Sequence, residues 1–110
     1  MIYLPKLNWF YQPQSDGTIK TNDYSGSLWT DPLKGCMNRP IFNYRVLVKK
    51  DSENKVYFKA ECSVKVAGII GIETLESKEE RFSVTEQGLG YLQNWLGDYL
   101  SQYVKKYQKQ

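Results

Sequence analysis

The chain has 110 residues, of which 41% are hydrophobic and 15% aromatic, with 15 basic and 12 acidic side chains and a net charge of +3. This composition excludes an intrinsically disordered chain, which is poor in apolar and aromatic residues, and the length predicts one domain, residues 1–110, with a single core. The charge is too balanced to indicate a nucleic-acid or membrane partner by itself.

The N-terminal residues alternate loosely between apolar and polar types, and Pro5 interrupts them. Because proline donates no backbone hydrogen bond to a sheet, residues 2–11 predict an edge strand or an extended arm. Asp and Gly at 15–18 form a turn sequence, so residues 6–22 predict a short hairpin. The chain start lacks the features of a secretion signal, and no apolar run is long enough to span a membrane, so we expect a cytoplasmic protein without a membrane partner.

Residues 22–40 are rich in Gly, Pro, Asn, Asp and Ser and predict a long irregular loop. Loops of this length are uncommon in a compact domain unless they are functional or pack with their own side chains. Tyr24 and Trp29 are the aromatic residues of this loop. The simpler interpretation is that Trp29 covers one end of the core, and the alternative is that the loop contacts a ligand.

Two stretches with a period of two follow. Residues 42–49 and 56–66 alternate apolar with polar side chains, which is typical of strands that bury one face. A turn-forming tetrad at 51–54 separates them, and strands joined by so short a connection are antiparallel. They predict a hairpin over 42–66, whose apolar face must be covered by other parts of the chain because a lone hairpin is only marginally stable.

The segment after the hairpin gives weaker signals. Residues 67–72 are apolar with two glycines, which predicts continuation of the strand with a bulge or a bend. Residues 73–81 are strongly acidic and predict a solvated turn. Residues 80–84 add a predicted short strand before the last element.

The C-terminal part predicts a helix. Ser83 and Glu86 have the spacing of a capping box, and Thr85 is a competing N-cap. Apolar residues then recur every three or four positions, which predicts a helix over about 84–107. The glycines at positions 88, 90 and 97 predict a close approach of this helix to the sheet.

Together these elements predict an α+β fold. A curled antiparallel sheet of about four or five strands, built on the 42–66 hairpin, packs against one long C-terminal helix. A small-molecule pocket between helix and sheet is an alternative to a filled core, and the filled core is the simpler interpretation because the helical glycines indicate tight contact. The side chains that would line such a pocket are Tyr44, Phe58, Tyr91 and Trp95.

The chain contains no histidine. This absence excludes Ser–His and Cys–His nucleophile pairs and most zinc sites. Cys36 and Cys62 could form a disulfide only if the 22–40 loop folded under the sheet, so we expect two free thiols in a reducing cytosol. We therefore predict a protein that is not an enzyme and has no catalytic residue, no metal and no cofactor.

Two kinds of binding surface are compatible with these features. The outward face of the hairpin carries basic residues around an aromatic ring, which could hold phosphates and stack a nucleic-acid base. The simpler interpretation is a solvated sheet face, because Glu61 lies in the same row and edge lysines commonly prevent aggregation. The nucleic-acid candidates on this face are Arg45, Tyr57, Lys59 and Lys65.

The second kind of surface is a protein interface. Nine tyrosines and three tryptophans exceed what one small core easily hides, and exposed aromatic residues are typical of interfaces. By analogy with small cytosolic accessory and mobile-element proteins that act by binding, we predict a non-enzymatic interaction module whose partner is another protein. The candidates, which lie outside the strongly periodic elements, are Trp9, Tyr11, Tyr24 and Trp29. Partner identity and oligomeric state stay open.

Overall fold

The predicted hairpin lies at the centre of the fold. A computed structural model describes residues 2–29, 40–68 and 71–107. The elements, in chain order, are α1 (Leu7–Phe10), β1 (Tyr11–Pro13), β2 (Ile19–Thr21), β3 (Tyr24–Trp29), β4 (Ile41–Lys50), β5 (Val56–Gly68), β6 (Gly71–Phe82) and α2 (Glu86–Tyr107).

Strands β3 to β6 form one antiparallel sheet in the order β3-β4-β5-β6, and β1 pairs with β2 in a separate two-stranded hairpin. In the central pair, Tyr44 of β4 lies opposite Cys62 of β5, and a bulge between Val64 and Lys65 shifts the register of β5 with β6. The predicted α+β class, the antiparallel sheet and the C-terminal helix are confirmed.

One face of this sheet, the inner face, carries the core. It presents the even-numbered residues of β4 and β5 from Phe42 to Val64, and the core includes Leu92, Leu96 and Tyr103 of α2. Helix α2 packs mainly against β5, in the middle of the sheet. The apolar alternation of the hairpin therefore meets the leucine and aromatic stripe of the helix, as the two periods predict.

Residues 2–10 cover the part of the inner face that the helix leaves open. Ile2 and Phe10 are fully buried, and the Phe10 ring meets the Phe58 ring edge-on with centroids 5.3 Å apart. The Gln93 side-chain amide donates a hydrogen bond to the carbonyl oxygen of Ile2 at 2.5 Å, which joins this segment to α2. The prediction of a strand or an extended arm was incomplete, because Leu7–Phe10 is a helical turn that directs Phe10 into the core.

Thr85 is the N-cap of α2. Its hydroxyl oxygen accepts a hydrogen bond from the backbone N–H of Gly88 at 2.9 Å, whereas the Ser83 hydroxyl lies 3.0 Å from the Thr85 hydroxyl. The predicted reason for the helical glycines was wrong. A Cβ on Gly88 would overlap the carbonyl group of Ser83 rather than the sheet, and Gly90 and Gly97 face open space.

The loop predicted over residues 22–40 was wrong for its first part, because Tyr24–Trp29 is the strand β3. Ser and Gly in this stretch resemble turn residues, but Tyr24, Gly26 and Leu28 alternate toward the inner face opposite β4. Gly26 has a specific role in this pairing, because a Cβ there would lie 2.6 Å from Cζ of the Tyr44 ring. The remainder of the predicted loop, residues 30–39, lies outside the described residues, as does Cys36.

The turn predicted over residues 73–81 was also wrong. These residues belong to β6, which pairs with β5 along nearly its full length. The charged side chains fit a strand here because β6 is an edge of the sheet and its residues are mostly exposed. The strand that was predicted to continue through residues 67–72 with a bulge or a bend ends at Gly68 instead. Gly68 of β5 pairs with Gly71 of β6, so the chain reverses its direction between these two strands.

The contact between Gly26 and Tyr44 generates a stability prediction. Gly26→Ala places a methyl group against the buried Tyr44 ring and is expected to lower the free energy of unfolding by about 1 to 2 kcal/mol. Gly90→Ala is the matched control, because it adds the same methyl group at an open helical position and is expected to raise stability by about 1 kcal/mol. Urea unfolding of the three proteins measures both changes, and a neutral Gly26→Ala would contradict this packing.

Burial of Cys62 generates a pH prediction. Cys62 is a free, buried thiol, and burial raises its pKa to about 11 from the ordinary value of 9.0. Since the folded state holds this proton more tightly than the unfolded state, the stabilising contribution is complete below pH 9 and is lost as the pH rises toward about 11. Denaturation from pH 8 upward is expected to show a steeper alkaline loss of stability in the native chain than in Cys62→Ala, and parallel curves would contradict it.

Candidate functional site

Two partly exposed apolar side chains, Trp9 and Leu28, lie at or beside β3. Tyr24 and Leu28 are inner-face residues of this strand, and Trp9 of α1 packs beside Tyr24. Trp9 and Leu28 keep 38% and 36% of their surface exposed although they adjoin the core. We call Trp9, Tyr24 and Leu28 the β3 surface.

Trp9 is held in a fixed orientation. Its ring meets the Phe10 ring edge-on at 5.2 Å and the Tyr24 ring edge-on at 5.8 Å. Its carbonyl oxygen accepts a hydrogen bond from the side-chain amide of Asn22 at 2.7 Å, which fixes the chain between the hairpin β1-β2 and β3. A partly exposed indole that is oriented by two rings loses little conformational entropy when it is covered by a partner.

Tyr24 connects the β3 surface to the core. Its ring lies 6.3 Å from the Tyr44 ring, which covers Gly26. Burial raises the pKa of the Tyr44 hydroxyl, and the charge and hydrogen bond of the neighbouring Tyr24 hydroxyl raise it further. The Tyr44 hydroxyl therefore stays protonated at neutral pH, and its ring lies beside Tyr24 at the margin of the β3 surface.

The structure brings two of the predicted interface residues together. Trp9 and Tyr24 are in contact, whereas Tyr11 lies on β1 and lines a shallow hollow of ≈ 360 Å³ with residues of α1 and the start of α2. Trp29 is the last residue of β3, and its side chain lies outside the described residues. Leu28 was missed from the sequence, because its exposure depends on how far α2 and residues 2–10 cover the sheet.

The nucleic-acid candidates lie on the opposite, outer face, as the alternation predicts. Lys59 forms ion pairs with Glu61 at 3.3 Å and with Glu79 at 3.2 Å, and Arg45 lies 3.6 Å from Glu61. The carboxylate of Glu79, followed by that of Glu61, raises the pKa of Lys59. Alternating charges therefore cross three strands, and each basic group in this row already faces a carboxylate.

The aromatic member of this set is also engaged. The guanidinium group of Arg81 lies 4.4 Å from the centre of the Tyr57 ring, which is a cation–π contact. The Arg81 guanidinium group therefore occupies a face of the Tyr57 ring on which a nucleic-acid base would have to stack. Lys65 lies farther along the sheet and lines a groove on the outer face.

This outer groove has a volume of ≈ 440 Å³ and a polar lining. The register places Ser27, Asn43, Ser63 and Ser77 in one row across all four strands. The Ser27 hydroxyl donates to the side-chain oxygen of Asn43 at 2.7 Å. No local sequence signal identifies such a row, because it depends on the register of three strand pairs.

The pocket considered between helix and sheet does not form from its four candidate side chains. Phe58 is fully buried in the core, whereas Tyr91 is 57% exposed and its hydroxyl accepts a hydrogen bond from the Gln87 side chain on the outside of α2. Trp95 packs against Phe82 of β6 at 6.0 Å. Phe58 and Tyr44 are therefore core residues whereas Tyr91 faces solvent, so the four side chains do not line one pocket between helix and sheet.

Within residues 2–29, 40–68 and 71–107, no helix is long and apolar enough to cross a membrane. The same residues contain no group of three or more His, Cys, Asp or Glu side chains arranged to hold a metal ion. Comparison of the chain with family models, with curated proteins and with solved structures found no match. A proposal for the function therefore rests on the geometry of the β3 surface and of the outer face of the sheet.

The charge row on the outer face generates a binding prediction. Because Glu61 and Glu79 face the basic groups, we expect the native chain to bind a single-stranded oligonucleotide weakly, and Glu61→Gln with Glu79→Gln to bind it more tightly and with a steeper salt dependence. Fluorescence anisotropy with a labelled oligonucleotide at low and high salt measures both. Adding Lys65→Glu to the double variant is the control and should weaken this binding. Tight, salt-sensitive binding by the native chain would instead favour a nucleic-acid interface.

Proposed function

We propose that this protein is a small, non-enzymatic, cytoplasmic binding module that acts by contact with another protein through the β3 surface. By the analogy drawn above, it belongs among accessory or mobile-element-type proteins. The proposal rests on the exposure of Trp9. Its indole ring contacts two other rings at the margin of the core, and 38% of its surface is still exposed. Tryptophan and tyrosine are the residues most enriched in interface hot spots.

The chemistry of the reactive and charged side chains supports binding over catalysis. The Cys62 thiol is buried and its pKa is raised to about 11, which is the opposite of an activated nucleophile. On the outer face, Lys59 is ion-paired with both Glu61 and Glu79, and Arg45 lies against Glu61. With no histidine in the chain, the usual general base near neutral pH is missing as well.

A matched pair of exposed aromatic residues allows a direct test. Trp9 belongs to the β3 surface, and Tyr91 is exposed on the far side of α2. A photoreactive benzoylphenylalanine at position 9 is expected to crosslink one discrete protein in the native cells, and the same group at position 91 is not. Mass spectrometry of the adduct identifies the partner, and circular dichroism verifies that both variants are folded.

The identified partner then gives a quantitative measurement. Trp9→Ala is expected to raise its dissociation constant by at least about tenfold, whereas Tyr91→Ala leaves it unchanged. Equal crosslinking from positions 9 and 91, or equal affinities of the two alanine variants, would contradict the proposed function.

A further inference from the structure

The two edges of the four-stranded sheet differ in charge. Strand β6 carries charged side chains at half of its positions, which is a common protection of a sheet edge against pairing with another chain. Strand β3, with the sequence YSGSLW, carries none. The charged residues of β6 are Glu73, Glu76, Lys78, Glu79, Glu80 and Arg81.

The unprotected edge is long enough to pair. Its residues, Tyr24–Trp29, span about 20 Å, and β4 is the one strand that pairs with β3 in the described part of the chain. An uncharged edge strand with unpaired backbone groups is a template for a further strand. The occupant it fits is an extended segment that is itself uncharged and partly apolar.

We propose that this occupant is β3 of a second copy of the chain, paired antiparallel so that the two sheets join into one. This inference rests on the proposed function, because it names the partner of the β3 surface. A two-fold axis at Gly26 makes the contact self-complementary, since the same patch serves both copies. It also leaves both α2 helices on the same side of the joined sheet.

The register follows from the faces of the strand. With the axis at Gly26, Tyr24 lies opposite Leu28 of the second copy, so inner-face residues meet inner-face residues. Ser25 lies opposite Ser27 of the second copy on the outer face. A shift by one residue would set the inner face of one copy against the outer face of the other, which this pattern of side chains disfavours.

The pairing accounts for the exposed apolar groups of the β3 surface. Leu28, which is 36% exposed in one copy, would lie against Tyr24 and next to Trp9 of the other. Gly26 opposite Gly26 lets the strands approach, while the Tyr44 rings cover both glycines from the inner face. No charged side chain within β3 opposes the contact.

Ser25 and Ser27 provide a test that spares the core, because both are exposed. The like-charge variant is Ser25→Glu with Ser27→Glu. In this register it places a carboxylate at position 25 of each copy opposite a carboxylate at position 27 of the other copy. The opposite-charge variant, Ser25→Glu with Ser27→Lys, sets a carboxylate opposite an ammonium group there. It is the matched control, since both variants lose the same Ser27 hydrogen bond to Asn43. Both variants also place the same new carboxylate at position 25, next to Arg45 of its own chain.

Sedimentation equilibrium over a range of protein concentrations measures the association, and thermal unfolding verifies each fold. We expect the native chain to dimerise reversibly and the dimer dissociation constant of the like-charge variant to rise by about tenfold. The opposite-charge variant is expected to dimerise at least as well as the native chain.

A native chain that stays monomeric overturns this inference but leaves the proposed function in place if position 9 still crosslinks a different protein. A dimer that responds equally to both variants overturns it too, because the contact then lies elsewhere. Dimerisation without any crosslink from position 9 would contradict the β3 surface as the interface in both proposals.

Discussion

The structure depends on covering the inner face of the β4-β5 hairpin. Its alternating apolar residues cannot remain in water, and two separate parts of the chain cover them: α2 above β5, and residues 2–10 beside it. The contact between Phe10 and Phe58 joins the N-terminal segment to the hairpin, and the bond from Gln93 to the Ile2 carbonyl joins it to the helix. Both covers also reach an edge strand, since Trp9 meets Tyr24 of β3 and Trp95 meets Phe82 of β6, but the two edges differ in charge.

Those edges have opposite chemistry. On β6, charged residues occupy inner as well as outer positions, and Lys106 of α2 reaches Glu76 at 2.8 Å at the margin of the core. On β3, the inner positions hold Tyr24, Gly26 and Leu28, which are neutral. β6 therefore mixes charged groups with two exposed apolar side chains, whereas β3 presents only neutral side chains next to an indole. This asymmetry in charge, rather than the mixed-charge outer face, is the reason why we propose the β3 surface as the place for a partner.

The sequence predicted the secondary structure correctly where a regular spacing of apolar residues extended over many positions. The hairpin over 42–66 and the helix over about 84–107 were predicted because each repeats one simple pattern. β3 was mistaken for loop because Ser and Gly are turn formers, and β6 for a turn because edge strands tolerate charge. The contact of Trp9 with Tyr24, the exposure of Leu28 and the polar row of the outer groove depend on register and on tertiary packing, so local pattern alone does not predict them.

We propose that β3 is the edge of the sheet that another chain covers. Amide hydrogen exchange measured residue by residue, at low and at high protein concentration, tests it most directly because protected edge amides report strand pairing. We expect the amides of Tyr24–Leu28 that point away from β4 to exchange more slowly as the concentration rises, while those of β6 do not change. Slower exchange along β6 instead, or no change along β3, would contradict it.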